Sequence, residues 1–264
     1  MTIMIGYDNH AEAGGTVLSG GAWILPLSNL LDPRPGRKAR SSGLSLANTV
    51  MRISLPATVE LRLIALTHTN LTENGLYRLT WFSDAFTTAI GSAGWLSPPG
   101  YPQDDPDRIG ASIWHLFASP VSAQYWQIEI DDEANPAGFL EAGRLFLPHI
   151  WQPPYNFDNN SNNDSLNPNT PRVDSLGGVG YFNRRMPART LRVAWSVLPA
   201  EDMAEIRRIR RQSNLNRQVV VIPNPADTAN FHERNFLATL RELPAIALFS
   251  LYASTGFDLI EAVA

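Results

Sequence analysis

The chain of 264 residues contains no cysteine, which excludes disulfide bonds, thiolate metal sites and a cysteine nucleophile. It also lacks a run of 18 apolar residues, the length that a membrane-spanning helix requires. Neither sign of charge dominates, since 21 Lys and Arg against 25 Asp and Glu leave a net charge of −4. The N-terminus has neither the basic start nor the apolar stretch of a secretory signal. We therefore expect a protein made in a cytoplasm, with no nucleic-acid and no membrane partner.

Signatures of catalysis are missing as well. The five histidines are far apart and form no His-x-x-x-His pair, so a zinc site is not expected. Residues 43–47 (GLSLA) lack the second glycine of a nucleophile elbow, and Ser45 reads as a loop serine. The cluster Asp131, Asp132 and Asn135 is a calcium candidate, but without the spacing of a dedicated site a solvated turn is the preferred interpretation. We expect no enzymatic activity and no cofactor.

The first half of the chain has the period-two pattern of strands. Apolar residues alternate with polar ones at 51–55, 77–81 and 126–130, so each segment has one wet and one dry face. Residues 61–66 are nearly all apolar, which suits a strand covered on both sides. Turn-forming segments separate these runs. The pattern predicts an antiparallel sandwich or barrel.

The composition changes after Trp151. Residues 153–171 hold seven asparagines and four prolines, which indicates a linker or an extended loop. A helix follows Pro199, because acidic residues stand at its start, arginines at its end, and Met203, Ile206 and Ile209 on one face. Strands are expected at 218–222, 236–240, 247–252 and 256–263. This half is predicted to be a second β-sheet carrying one helix.

Two sets of residues are candidates for contacts, and a third set is expected in the core. Trp23, Trp95, Tyr101 and Trp151 lie near loops or domain junctions, where they would be sugar platforms or interface anchors, and we prefer the interface. Trp81, Trp126 and Trp195 lie on the apolar phase of strands and are expected in the core. Arg207, Arg208 and Arg211 are candidates for an interface with an acidic partner, although the helix dipole alone explains arginine at a C-terminal end.

Five segments together resemble the galactose-binding-like, or discoidin-like, jelly roll: residues 61–70, 77–82, 123–131, 135–139 and 143–147. The resemblance covers most of residues 25–150 and implies a fold rather than a ligand. The fold class expected for the whole chain is mainly β, an antiparallel jelly-roll β-sandwich followed by a second β-sheet domain carrying one helix.

The whole chain is also similar to structural proteins of the tail tip or baseplate of tailed phages. Residues 18–23, 26–30, 130–147, 220–225 and 236–243 carry this likeness. It implies that the second β-sheet domain is distal-tail-protein-like. It also implies a virion component that assembles with itself as a ring around the tail axis and with other tail or baseplate proteins. The expected divisions are an N-terminal arm (1–24), the jelly roll (25–152), a linker or loop (153–175) and a ring-forming domain (176–264).

The first functional hypothesis is therefore a non-enzymatic structural protein of a phage tail, connecting the tail tube to a hub or fibres. The alternative is a carbohydrate-binding adsorption module that contacts a glycan of the host surface. The two hypotheses differ in an observable way, because a sugar stabilises a lectin by mass action.

Overall fold

The computed structural model describes residues 2–34, 36–99, 111–159, 163–174, 180–183, 185–249 and 251–263. Tyr101 lies outside the described residues. The chain is mainly β, and every pairing among the described strands is antiparallel, as expected. No helix in the described part is both long and apolar enough to span a membrane.

The strands of the described residues, in chain order, are β1 (Met4–Asn9), β2 (Val17–Ser19), β3 (Trp23–Leu25), β4 (Ala39–Ser41), β5 (Met51–Thr69), β6 (Leu76–Phe82), β7 (Ala89–Leu96), β8 (Ala111–Asp131), β9 (Glu141–Ala142), β10 (Arg144–Phe146), β11 (Pro148–Trp151), β12 (Asn163–Asn167), β13 (Arg172–Asp174), β14 (Gly180–Phe182), β15 (Ala188–Pro199), β16 (Val219–Ile222), β17 (Phe236–Leu240), β18 (Ile246–Phe249) and β19 (Tyr252–Glu261). The helices are α1 (Leu46–Thr49), α2 (Asp202–Ser213) and α3 (Phe231–Arg234), with short 3-10 turns at His10–Glu12, Leu27–Leu31 and Thr228–Asn230.

Two large sheets organise the molecule. The six-stranded sheet has the order β10-β5-β8-β6-β7, with β2 added on β5. The eight-stranded sheet has the order β11-β1-β16-β17-β19-β15-β12, with β18 added on β19. A three-stranded sheet (β3-β4-β9) and the β13-β14 hairpin complete the described strands. The prediction of a mainly β chain built from antiparallel sheets is confirmed.

The alternation predicted in the first half is confirmed by the burial of the strands. Met51, Ile53 and Leu55 are buried on β5, whereas Arg52 between them is exposed. This dry face packs in a core inside the jelly roll, which also holds Trp126 of β8. Because side chains on a strand alternate between its faces, one face of the six-stranded sheet closes this core, and Arg52 belongs to the other face.

The strand predicted to be covered on both sides is confirmed. Ile64 and Leu66 of β5 face the jelly-roll core, whereas Leu63 and Ala65 belong to a second apolar cluster. That cluster also contains residues of the eight-stranded sheet, among them Val220. The two large sheets are therefore packed against each other through an apolar layer.

The opposite face of the eight-stranded sheet carries helix α2. Met203, Ile206 and Ile209 are fully buried there, as the sequence predicts. Trp195 lies in the same core. The predicted strand after the helix is also confirmed, as β16.

Two segments differ from the sequence prediction. Strand β1 falls within the predicted N-terminal arm, yet it lies inside the eight-stranded sheet between β11 and β16. Residues 153–175, predicted as a linker or loop, contain β12 and β13. Strand β12 is polar and, within the part of the chain that the structure describes, pairs with β15 alone, so its backbone hydrogen bonds rather than an apolar pattern hold it. The division into four domains stays a prediction.

Candidate functional site

The outer face of the six-stranded sheet presents an ordered set of polar and aromatic side chains. On neighbouring strands, Arg78 of β6 is in register with Trp95 of β7 on one side and with Glu129 of β8 on the other. In the next rows, Gln127 of β8 is in register with Arg52 of β5. We call these five residues the Trp95 face.

Arg78 is held in one orientation. Its Nε and Nη2 atoms donate hydrogen bonds to the two carboxylate oxygens of Glu129, at 2.7 and 2.8 Å. The same guanidinium lies 4.7 Å from the ring centroid of Trp95, which is 37% exposed. Bidentate pairing and cation–π contact both favour this planar arrangement. The Arg78 guanidinium also holds the pKa of the Glu129 carboxyl below its ordinary value, so the carboxylate remains an acceptor.

The neighbouring row extends this array. Arg52 Nε donates to Gln127 Oε1 at 2.9 Å, and its guanidinium lies 5.3 Å from the ring centroid of Phe86. Phe86 in turn packs edge-on against Tyr125. The face therefore combines aromatic surface with hydrogen-bonding groups whose positions are already set by their neighbours.

The three described members of the aromatic set singled out in the sequence have different environments. Trp95 is exposed, as a contact role requires. Trp23, on β3, is half-buried and packs against the jelly-roll core. The prediction that Trp151 is a contact residue is corrected by the structure. Trp151 is 4% exposed, and its ring centroid lies 5.5 Å from that of Trp195 in the core beneath α2. β11 turns this side chain inward, so it offers no surface platform.

The acidic turn also differs from the solvated turn that we preferred. Asp132 and Asn135 are buried, and the Asp132 carboxylate accepts hydrogen bonds from the backbone N of Thr72 and from Asn135 Nδ2. Asn135 Nδ2 also donates to the carbonyl oxygen of Asn70. The carboxylate oxygens thus tie two loops together. Asp131 is half-buried at the end of β8, and the described residues hold no group of three or more His, Asp or Glu side chains suited to a metal ion.

The arginines of α2 lie on its outer surface. Arg207, Arg208 and Arg211 are exposed, and Arg208 pairs with Glu205 at 2.9 Å. Their contact with a partner stays a prediction.

Sequence reasoning did not single out Arg78 and Glu129 as site residues. The available signal was their place on the polar phase of two predicted strands, next to a tryptophan of a third segment. What the pattern lacked was the register that sets the three side chains beside one another.

Neither a protein-family model nor a curated protein matches the chain. Among solved structures it is similar to the family 32 carbohydrate-binding module of NanJ from Clostridium perfringens in complex with galactose, with 14% identity and a TM-score of 0.40 over 56% of this chain and 99% of that one. A second is the first such module of a family 31 glycoside hydrolase from the same organism, with 14% identity and a TM-score of 0.37 over 54% and 99%.

A third is the fucolectin from striped bass (Morone saxatilis) serum, with 11% identity and a TM-score of 0.38 over 97% of this chain and 99% of that one. These similar structures are galactose-binding-like, discoidin-like jelly-roll domains.

Proposed function

We propose that this protein is a non-enzymatic carbohydrate-binding module and that the Trp95 face is its contact surface. The observation that carries the proposal is the clamped position of Arg78 between Trp95 and Glu129. A pyranose has apolar patches on its ring and hydroxyl groups at its edges. The exposed part of the Trp95 side chain suits the first, whereas Arg78 and Glu129 supply a donor and an acceptor for the second.

The hydrogen bonds already present within the Trp95 face support the same function. Because Arg78, Glu129 and Gln127 are already hydrogen-bonded, their side chains lose little conformational entropy when a ligand binds. Glu129 also bears on the non-enzymatic part of the proposal. Hydrolysis of a glycoside ordinarily needs a carboxyl group with a raised pKa as general acid, and Arg78 moves the pKa of Glu129 in the opposite direction.

Calorimetric titration with a panel of neutral monosaccharides, galactose included, tests this function. Trp95→Ala is expected to weaken sugar binding about tenfold, which is the value of one aromatic contact of about 1.4 kcal/mol. Tyr155→Ala is the matched control, because Tyr155 is an exposed aromatic outside the Trp95 face. Sugar affinity that Trp95→Ala leaves unchanged, or no binding by any sugar of the panel, would contradict the proposal.

A different observation favours a second candidate, the structural tail-tip protein. The end of the β18-β19 pair exposes large apolar side chains, with Leu248 58%, Leu251 76% and Tyr252 47% exposed. An apolar surface of this kind suits contact with another subunit. Light scattering tests self-assembly: an oligomer that Leu251→Asp converts to a monomer supports it, and a wild-type monomer opposes it. Presence of the protein in purified phage particles tests the virion role.

A further inference from the structure

A polar pocket lies where the end of β1 meets the C-terminal end of α2. We call it the junction pocket. Its volume is about 330 Å³, and its walls include Asp8, His10, Gln212, Ser213 and Arg217. This size is at the lower end of the range for small-molecule sites. It lies away from the Trp95 face, on elements that the proposed carbohydrate function does not use.

Two polar atoms of this wall are buried without a hydrogen-bond partner, Gln212 Oε1 and Ser213 Oγ. The orientation of Gln212 is set, because its Nε2 donates to Asp8 Oδ2 at 3.0 Å and a carboxylate cannot donate in return. The Oε1 atom of Gln212 is therefore an acceptor without a donor. Ser213 is 1% exposed, in the last turn of α2. Buried polar groups without partners are uncommon, so both oxygens are acceptors that a donor entering at this wall would satisfy.

The electrostatics of this wall favour a positive group. Asp8 brings a carboxylate, and the C-terminal end of α2 is the negative end of the helix dipole. Asp8 itself has a left-handed φ of 53°, at a register shift in the β1-β11 pairing. Such strain in a residue other than glycine is typical of functional positions. A primary ammonium group carries three N–H donors, and Asp8, Gln212 and Ser213 offer three oxygen acceptors.

The mouth of the pocket has the opposite charge. Arg217 is exposed there, and its guanidinium suits a carboxylate. Burial lowers the pKa of His10, so this wall residue stays neutral near pH 7 and adds no positive charge beside the acceptors. We propose that the junction pocket binds a small zwitterion of the amino-acid type, with its ammonium group on Asp8, Gln212 and Ser213 and its carboxylate on Arg217.

Calorimetric titration with the standard amino acids tests this assignment. Each amino acid is compared with its decarboxylated amine and with its deaminated acid. An amino acid is expected to bind more tightly than either relative. Ser213→Ala removes a hydroxyl that has no partner in the free protein, so it should raise the Tm by about 2–4 °C while weakening the ligand about tenfold. A merely structural serine would not combine gain of stability with loss of binding.

Arg217→Ala should abolish the preference for the amino acid over its amine. Arg211→Ala is the matched control, since Arg211 is an exposed arginine of α2 outside the pocket, and it should change neither quantity. Absence of binding by every amino acid, or unchanged binding in Ser213→Ala, would overturn the inference. Trp95→Ala distinguishes the two functions, because it should leave amino-acid binding intact while it weakens sugar binding about tenfold.

Discussion

The buried guanidinium of Arg144 donates a hydrogen bond to the carboxylate of Glu12. Its Nε also donates to Gln218 Oε1 at 3.0 Å, and Gln218 Nε2 donates to the carbonyl oxygen of Pro33 at 2.8 Å. Arg144 belongs to the six-stranded sheet, whereas Gln218 directly precedes β16 of the eight-stranded sheet. This polar network therefore joins the two sheets beside the apolar layer between them.

Glu12→Ala should lower the free energy of unfolding by about 2–3 kcal/mol, because it leaves a buried arginine without its charged partner. This loss of free energy is small for a broken buried ion pair because the Glu12 side chain is 33% exposed. Urea denaturation measures the change. Glu133→Ala is the control, since Glu133 is exposed. Adding Arg144→Met to Glu12→Ala should recover part of the lost free energy of unfolding. Equal stability of wild type and Glu12→Ala would show that the pair contributes nothing.

Trp151→Ala should destabilise the protein by about 3–5 kcal/mol, because it removes a large side chain that packs against Trp195 and Phe257. Trp95→Ala, by contrast, should cost less than about 1 kcal/mol, since Trp95 is on the surface. Thermal and urea unfolding of the two variants test the contrast. A small effect of Trp151→Ala would conflict with its place in the core.

Asp132→Ala should lower the free energy of unfolding by about 2 kcal/mol, because Asn135 and the backbone N of Thr72 lose a buried acceptor. Since hydrogen bonds within the chain meet this carboxylate, we expect neither calcium nor a chelator to move the Tm of the wild-type protein. Differential scanning calorimetry with and without each reagent checks this. A rise of the Tm with calcium that Asp132→Ala abolishes would restore the calcium site.

The stability should fall between about pH 6.5 and pH 4. Burial lowers the pKa of both His68 and His115 from the ordinary 6.5 to about 4. Below pH 6.5 these two histidines therefore bind protons in the unfolded chain but stay neutral in the folded chain. As a result, the free energy of unfolding falls by up to about 1.4 kcal/mol per pH unit for each histidine. The loss is complete once the pH is below the folded pKa.

Urea denaturation at about pH 7 and about pH 5 measures this slope, since the paired carboxyl groups of Glu129 and Glu141, with lowered pKa values, act only below about pH 4.5. His115→Asn should flatten the slope, and His68→Asn should flatten it by a similar amount. An unchanged slope in both variants would mean that neither histidine is shielded from protonation.

Local sequence patterns predicted much of the secondary structure. The alternation at residues 51–55 and 126–130 and the dipole signals of α2 were sufficient because each depends on residues a few positions apart. Strand β12 was missed for the converse reason, since a polar edge strand has no apolar period and exists through its hydrogen bonds to β15. The position of β1 beside β16, more than 200 residues along the chain, has no local signal at all.

The sequence by itself determined which residues are apolar, that the segments with alternating apolar residues are extended, and that cysteine chemistry is absent. Only the tertiary structure decided that Arg78 lies between Trp95 and Glu129 and that Ser213 closes a pocket with Asp8. The reason is physical: strand register is set by the joint burial of distant segments, and a shift of one residue would turn every side chain to the opposite face. A site built from several strands therefore exists only after the sheets have packed.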